Sequence, residues 1–170
     1  MTTGGTSGEW GGASTIADAS LGRISWREVS AYVPAQVLGC VAGAVLANVM
    51  FSRAAVSIST KDRASGAHFL SEVVATTGLL VLIFALVRSG RRSAVPVAVG
   101  AYIAGAYFFT SSTSFANPAI TIGRMFSNTF AGIAPSSAPL FIAAQLAAVP
   151  LALVVVRLLY PAPHPEEQSA

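Results

Sequence analysis

The chain has 170 residues, of which 54% are hydrophobic and only 10% charged, with a mean hydropathy of +0.66. A soluble domain carries about 25% charged residues, so this composition excludes an ordinary water-soluble domain and reads as a polytopic membrane protein. The pI near 9.5 comes from basic residues scattered at segment ends, all arginines apart from Lys61. They form no run, which argues against nucleic acid and suits lipid headgroups and membrane orientation.

The stretch "MTTGGTSGEWGGASTIADAS" at the N-terminus lacks the basic start and apolar core of a secretory signal. Membrane targeting therefore falls to the spanning segments, and residues 1–12 are expected to be flexible. Four stretches have the length and apolarity to cross roughly 30 Å of hydrocarbon: residues 29–51, 68–87, 95–109 and 139–160. The third is short, and is expected to extend through 110–112. Residues 117–130, between the third and fourth, are apolar but too few to cross. The tail "PAPHPEEQSA" (161–170) is polar, proline-rich and expected to be disordered.

The loop at 88–93, with Arg88, Arg91 and Arg92, is denser in arginine than the loop at 52–67, with Arg53, Lys61 and Arg63. The bias toward basic cytoplasmic loops puts 88–93 inside, and alternation then puts both termini inside, with Arg23, Arg27 and Arg157. Gly39 and Gly43 make one G-x-x-x-G step in the first span, a spacing that permits close helix approach. Cys40 is the single cysteine; it excludes an internal disulfide and reads as a small packing residue.

"AYVPAQVLGCVAGAVLAN" and "LFIAAQLAAVPLALVVVR" share an aromatic, an Ala-Gln pair and an Ala-rich continuation, with Gln36 and Gln145 in equivalent places. Upstream of each, "GGASTIADASLG" parallels "NPAITIGRMFSN". A repeated half is characteristic of channels and transporters.

"TSFANPAITIGR" places a helix start between two spans. Asn is a favoured N-cap, and Pro at the next position loses no hydrogen bond. A helix starting there, followed by too few apolar residues to cross, implies a re-entrant half-helix over 117–130 whose N-terminus lies at membrane depth. Backbone of that kind is tolerated only inside protein or against water. Its N-terminus carries roughly half a positive charge, which repels cations, while the Asn amide can hydrogen-bond a neutral solute. Helical spacing sets Asn117, Ile120 and Arg124 on one stripe, with Arg124 about 10 Å along the axis. An arginine inside a membrane protein is a functional candidate; the alternative is an arginine snorkelling to the headgroups.

"ANPAITIGR" with its flanks resembles the second half of the major intrinsic protein family, the aquaporins and glycerol facilitators. The motif matches at Asn117, Pro118 and Ala119, and the resemblance spans residues 13–160. It implies an all-α, right-handed helical bundle with Asn-Pro-Ala half-helices meeting at the pore centre. It also implies a passive channel for water, glycerol or other small uncharged solutes, not an enzyme. Glu72 resembles the family's buried glutamate that bonds the re-entrant loop, with Gln36 and Gln145 as further buried polar residues.

Where most members carry an arginine directly after the motif, this chain has Ile120. The filter candidates implied are then Arg124, Ile120, Ser114 and Gly105, which favours a less discriminating pore. "GGA" (11–13) stands where the first motif would lie, leaving a remnant of the first half-helix near 13–22 and a bundle lacking two spans. The alternative to conduction is a non-conducting remnant, or a subunit whose partner supplies the missing half. The resemblance further implies the lipid bilayer, water and neutral solutes as partners, a homotetramer and the plasma membrane, with no cofactor. His68 and His164 have no companion ligands, and no phosphate loop, metal cluster or nucleophile motif occurs.

Overall fold

A computed structural model describes residues 25–160; the expectations for residues 1–12, 13–22 and 161–170 lie outside the described residues. Within them the chain is all-helical, with no strand. The helices are α1 (Trp26–Met50), α2 (Gly66–Arg88), a 3-10 turn (Arg92–Ala94), α3 (Val95–Phe109), α4 (Pro118–Arg124) and α5 (Ala138–Leu159).

Local chemistry sets the starts. Ser25 caps α1 through a reciprocal box: its hydroxyl accepts from the Glu28 amide, and the Glu28 carboxyl accepts from the Ser25 amide at 2.7 Å. That box satisfies two otherwise unbonded groups and begins the helix three residues before the apolar run. Ser65 caps α2 by accepting from the His68 amide. At the other end of α2, Arg88 reaches across to the Val156 and Tyr160 carbonyls, satisfying the open C-terminal end of α5.

Three helices are long and apolar enough to cross a membrane: Arg27–Met50, Gly66–Arg88 and Ala138–Leu159. The expected third span is realised as α3, whose 15 residues reach about 22 Å at 1.5 Å per residue. It does not extend through 110–112. Thr110 turns extended at φ −111°, ψ 134°, and its hydroxyl donates back to the Ala106 carbonyl at 2.6 Å.

The core lies between α2 and α5. Ala144, Ala148 and Ala152 recur every fourth residue on α5 with 0% exposure, so the two helices approach closely. Leu80, Phe84, Val149 and Val156 pack around that seam. On another face of α2, Leu79 and Ile83 cluster with Val95 and, less deeply, with Val99, Tyr102 and Ile103 of α3. Tyr102 donates to the Ala75 carbonyl at 3.0 Å, and it fits because residue 78 is glycine; a Cβ there would collide with its hydroxyl. Large apolar residues point outward, among them Leu38, Met50, Val97, Phe108 and Leu158. Apolar surface on that scale suits hydrocarbon rather than water.

Candidate functional site: the half-helix and its supports

The loop before α4 leaves α3 through a Ser/Thr-rich turn and then takes unusual backbone. Thr113, Ser114 and Ala116 all have positive φ, at 62°, 47° and 51°. Each such non-glycine residue costs roughly 1–3 kcal/mol and persists only where its surroundings over-determine it. One such support is Glu72, 0% exposed: its carboxyl accepts from the Phe115 amide at 3.3 Å and from the Ala116 amide. Gln145, also 0% exposed, donates to Glu72 Oε1 at 2.7 Å and to Thr121 Oγ1 at 2.9 Å. One buried polar chain therefore joins α2, α5, the loop and α4.

That chain also fixes depth. Glu72 is six residues past the start of α2 and Gln145 seven past the start of α5, so the loop they hold lies about 10 Å along both axes. The helix opening there is capped by Asn117, whose Oδ1 accepts from the Ala119 amide at 2.9 Å. Pro118 occupies the first turn. The Asn117 carbonyl accepts from both the Thr121 amide and the Thr121 hydroxyl.

The helix is shorter than the expected 117–130: it closes at Arg124 after seven residues. Its last amides bond three residues back, Met125 to Ile122 and Phe126 to Gly123, which tightens the end. Beyond that, the backbone is drawn into a different partnership. The Met125 carbonyl accepts from the Ser59 amide at 2.8 Å and the Phe126 carbonyl from Ser57 at 3.2 Å. Asn48, 2% exposed at the end of α1, adds bonds to the Phe126 and Ala55 carbonyls and accepts from the Ser127 hydroxyl at 2.6 Å. Ser127, Asn128 and Thr129 then compete with helix through their own side chains.

The candidate residues divide accordingly. Glu72, Gln145 and the Asn117 cap come together. Ser114 is 2% exposed, and its hydroxyl has no hydrogen-bond partner. Ile120 packs on Phe115, Ile133 and Phe141. Arg124 is half-buried, with its guanidinium 4.3 Å from the Phe115 ring centre and 5.9 Å from that of Tyr107. Its Nη1 is enclosed without a hydrogen-bond partner. Gly105 stands apart on the exposed side of α3, where an added Cβ would meet only Phe109 at 4.0 Å. Gln36, expected among the buried polar residues, is half-buried on α1 as a whole, with its Oε1 enclosed. No group of His, Cys, Asp and Glu that could hold a metal occurs among the described residues.

Sequence reasoning missed Asn48 and Arg63. Both are buried, but neither sits in a motif; their partners include carbonyls 78 and 69 positions away, which no local pattern reports. It also missed how α4 seats on α1. A Cβ at Gly123 would lie 2.7 Å from Cys40 Cβ and 2.8 Å from its carbonyl oxygen, so only glycine permits that contact.

A protein-family model, Major intrinsic protein, matches residues 2–114, which ends just before the half-helix. Aquaglyceroporin AqpS of Rhizobium meliloti (strain 1021) is 49% identical over 142 residues, covering 83% of this chain and 60% of that protein. The chain thus spans about 60% of the length of the curated relative it matches. No solved structure matches the chain significantly. The family match and the long apolar helices make it an integral membrane protein. Matched by the family model over about two thirds of its length, the chain belongs to the major intrinsic protein family.

Proposed function

We propose that the chain forms the conducting half of a passive channel for water, glycerol or similar small uncharged solutes, with Asn117, Pro118 and Ala119 at the pore centre. The observation that carries this reading is the half-helix itself: a capped helix start held about two turns below the ends of α2 and α5 by Glu72 and Gln145. A polar loop at that depth is stable only if it is enclosed by protein or faces water.

In this reading the Asn117 amide, oriented by the Ala119 bond, contacts solute, while amides of the first turn and the Arg124 charge repel cations. In this reading Ser114, Arg124 and Ile120 form the filter region, and Gly105, exposed on α3, lies outside it. With the apolar Ile120 directly after the motif, we assign it a broad tolerance for neutral solutes. The relative's name, aquaglyceroporin, supports the same solute class and a channel rather than an enzyme. The homotetramer, the plasma membrane and cytoplasmic termini belong to this proposal as well.

A second reading, in which another polypeptide or second copy supplies the wall facing Asn117, is favoured by α1. Only 6% of its apolar window is buried, against 39% for α2 and α5. Stopped-flow measurement of water, glycerol and sodium fluxes in proteoliposomes tests the proposal. Raised water and glycerol permeability without sodium leak supports it; fluxes equal to protein-free liposomes, with insertion verified, would reject it for this chain alone.

A further inference from the structure

Arg63 lies outside the half-helix, in the loop between α1 and α2, yet it is the one lysine or arginine among the described residues that is fully buried, at 3% exposure. Its guanidinium spends its donors on three carbonyls: Nε to Gly132 at 2.9 Å, Nη2 to Phe130 at 2.8 Å and Nη1 to Ser112 at 3.3 Å. Its backbone amide donates to Ser137 Oγ at 3.0 Å. Ser112 precedes the half-helix, whereas Phe130 and Gly132 follow it. One planar fork therefore ties together the two ends of the segment that contains 113–116, Asn117 and Arg124.

The chemistry is specific to arginine. Five donors in a fixed plane can address carbonyls in three directions at once, which an ammonium on a flexible stem cannot hold in the same way. A buried charge bonded to carbonyls rather than to a carboxylate is a costly way to obtain stability alone. The tie is also tightly built: a Cβ on Gly132 would collide with the Ser127 carbonyl and the Ser59 hydroxyl. Neighbouring bonds continue the lacing, with the Ala134 amide donating to the Lys61 carbonyl at 2.8 Å and Lys61 Nζ to the Phe130 carbonyl at 3.1 Å. Arg63 also stands 5.4 Å from the Phe115 ring, the ring over which Arg124 lies at 4.3 Å. The two charges repel, so the place of Arg63 limits where Arg124 can stand.

We propose that Arg63 is the positioning residue of the conducting segment: by holding the Ser112, Phe130 and Gly132 carbonyls together it sets the conformation of residues 113–117 and the location of Arg124. The consequence for permeation rests on the channel reading above; the consequence for loop geometry does not.

Amide hydrogen exchange on the whole chain in detergent, read by mass spectrometry, tests this with Arg63→Met, Arg63→Lys and, at an exposed position of the same loop, Arg53→Met. The expected result is a tenfold or greater rise in exchange at 113–117 in Arg63→Met, with the cores of α2 and α5 unchanged. Arg63→Lys should recover part of the protection but stay above the wild-type rate, and Arg53→Met should match wild type. In proteoliposomes Arg63→Met should also move the glycerol-to-water permeability ratio by at least twofold. Wild-type exchange at 113–117 in Arg63→Met, or an equal rise across every helix, overturns the proposal. If Arg63→Met does not fold, Arg63→Lys decides: wild-type rates at 113–117 overturn it, and raised rates confined there uphold it. Impermeable wild-type liposomes would remove the channel reading while the exchange result still judges the positioning role.

Discussion

Replacing Glu72 should release the strained loop. Its carboxyl serves the Phe115 and Ala116 amides and the Gln145 amide together, in a site with 0% exposure. Hydrogen bonds to such a group contribute about 1.5–3 kcal/mol each. The three positive-φ residues at 113, 114 and 116 cost roughly 1–3 kcal/mol apiece, so support and strain are of the same order and the loop conformation depends on Glu72. Glu72→Gln retains one acceptor and turns an NH2 toward a backbone N–H, which costs about 1.5–3 kcal/mol. At about 2–4 °C per kcal/mol for a chain of this size, the thermal midpoint falls by about 3–12 °C. Glu72→Leu strands all three donors and should cost about 3–6 kcal/mol, at the upper end of single-residue effects. Thermal scans by circular dichroism in one detergent and at one scan rate check the midpoints, and proteoliposome fluxes check the loop. A Glu72→Leu protein whose midpoint and water permeability match wild type would refute the reasoning.

Other outcomes follow from close contacts and local charges. Gly123→Ala forces the new Cβ to within 2.7 Å of Cys40 and should cost about 1–3 kcal/mol, seen as a lower midpoint; Gly100→Ala, in open space, should not lower it. Gly78→Ala should be destabilising because it meets the Tyr102 hydroxyl, and adding Tyr102→Phe should recover part of the loss, read in a double-mutant cycle. Asn48→Ala removes the bonds to the Ala55 and Phe126 carbonyls and from the Ser127 hydroxyl, costing about 1–3 kcal/mol, with proteolysis at 51–60 as a second readout. Donors from the Ala64 amide and then the Ser137 hydroxyl hold the Asp62 carboxyl below its ordinary range. Its contribution is therefore present above the unfolded pKa near 4 and lost as pH falls through the lower folded value; the midpoint of Asp62→Asn should drop less than that of wild type between pH 6 and pH 3.

Much of the architecture was legible because apolar length and cap chemistry are local signals. The second and fourth spans were read within two residues of α2 and α5, and the third coincides with α3. Asn117-Pro118 announced a helix start for the same reason, since cap and proline act on adjacent amides. The end of that helix was not legible. Met125 and Phe126 continue the apolar run, yet their carbonyls are taken by Ser57, Ser59 and Asn48, residues that are distant in sequence. Arg63 was hidden in the same way: it looked like an ordinary loop charge counted for topology, and its burial depends on three carbonyls brought together only by the fold.

The central claim is that solute passes at the start of the half-helix, and Asn117→Asp tests it most directly. This change keeps the size of the cap and its acceptor for the Ala119 amide while replacing the amide proposed to contact solute with a carboxylate. Water and glycerol permeability in proteoliposomes, measured by stopped-flow light scattering, should rise above protein-free liposomes for the wild-type chain and change markedly in the variant at equal insertion and unchanged thermal midpoint. A variant that conducts water and glycerol as the wild type does, with the fold intact, would contradict the account.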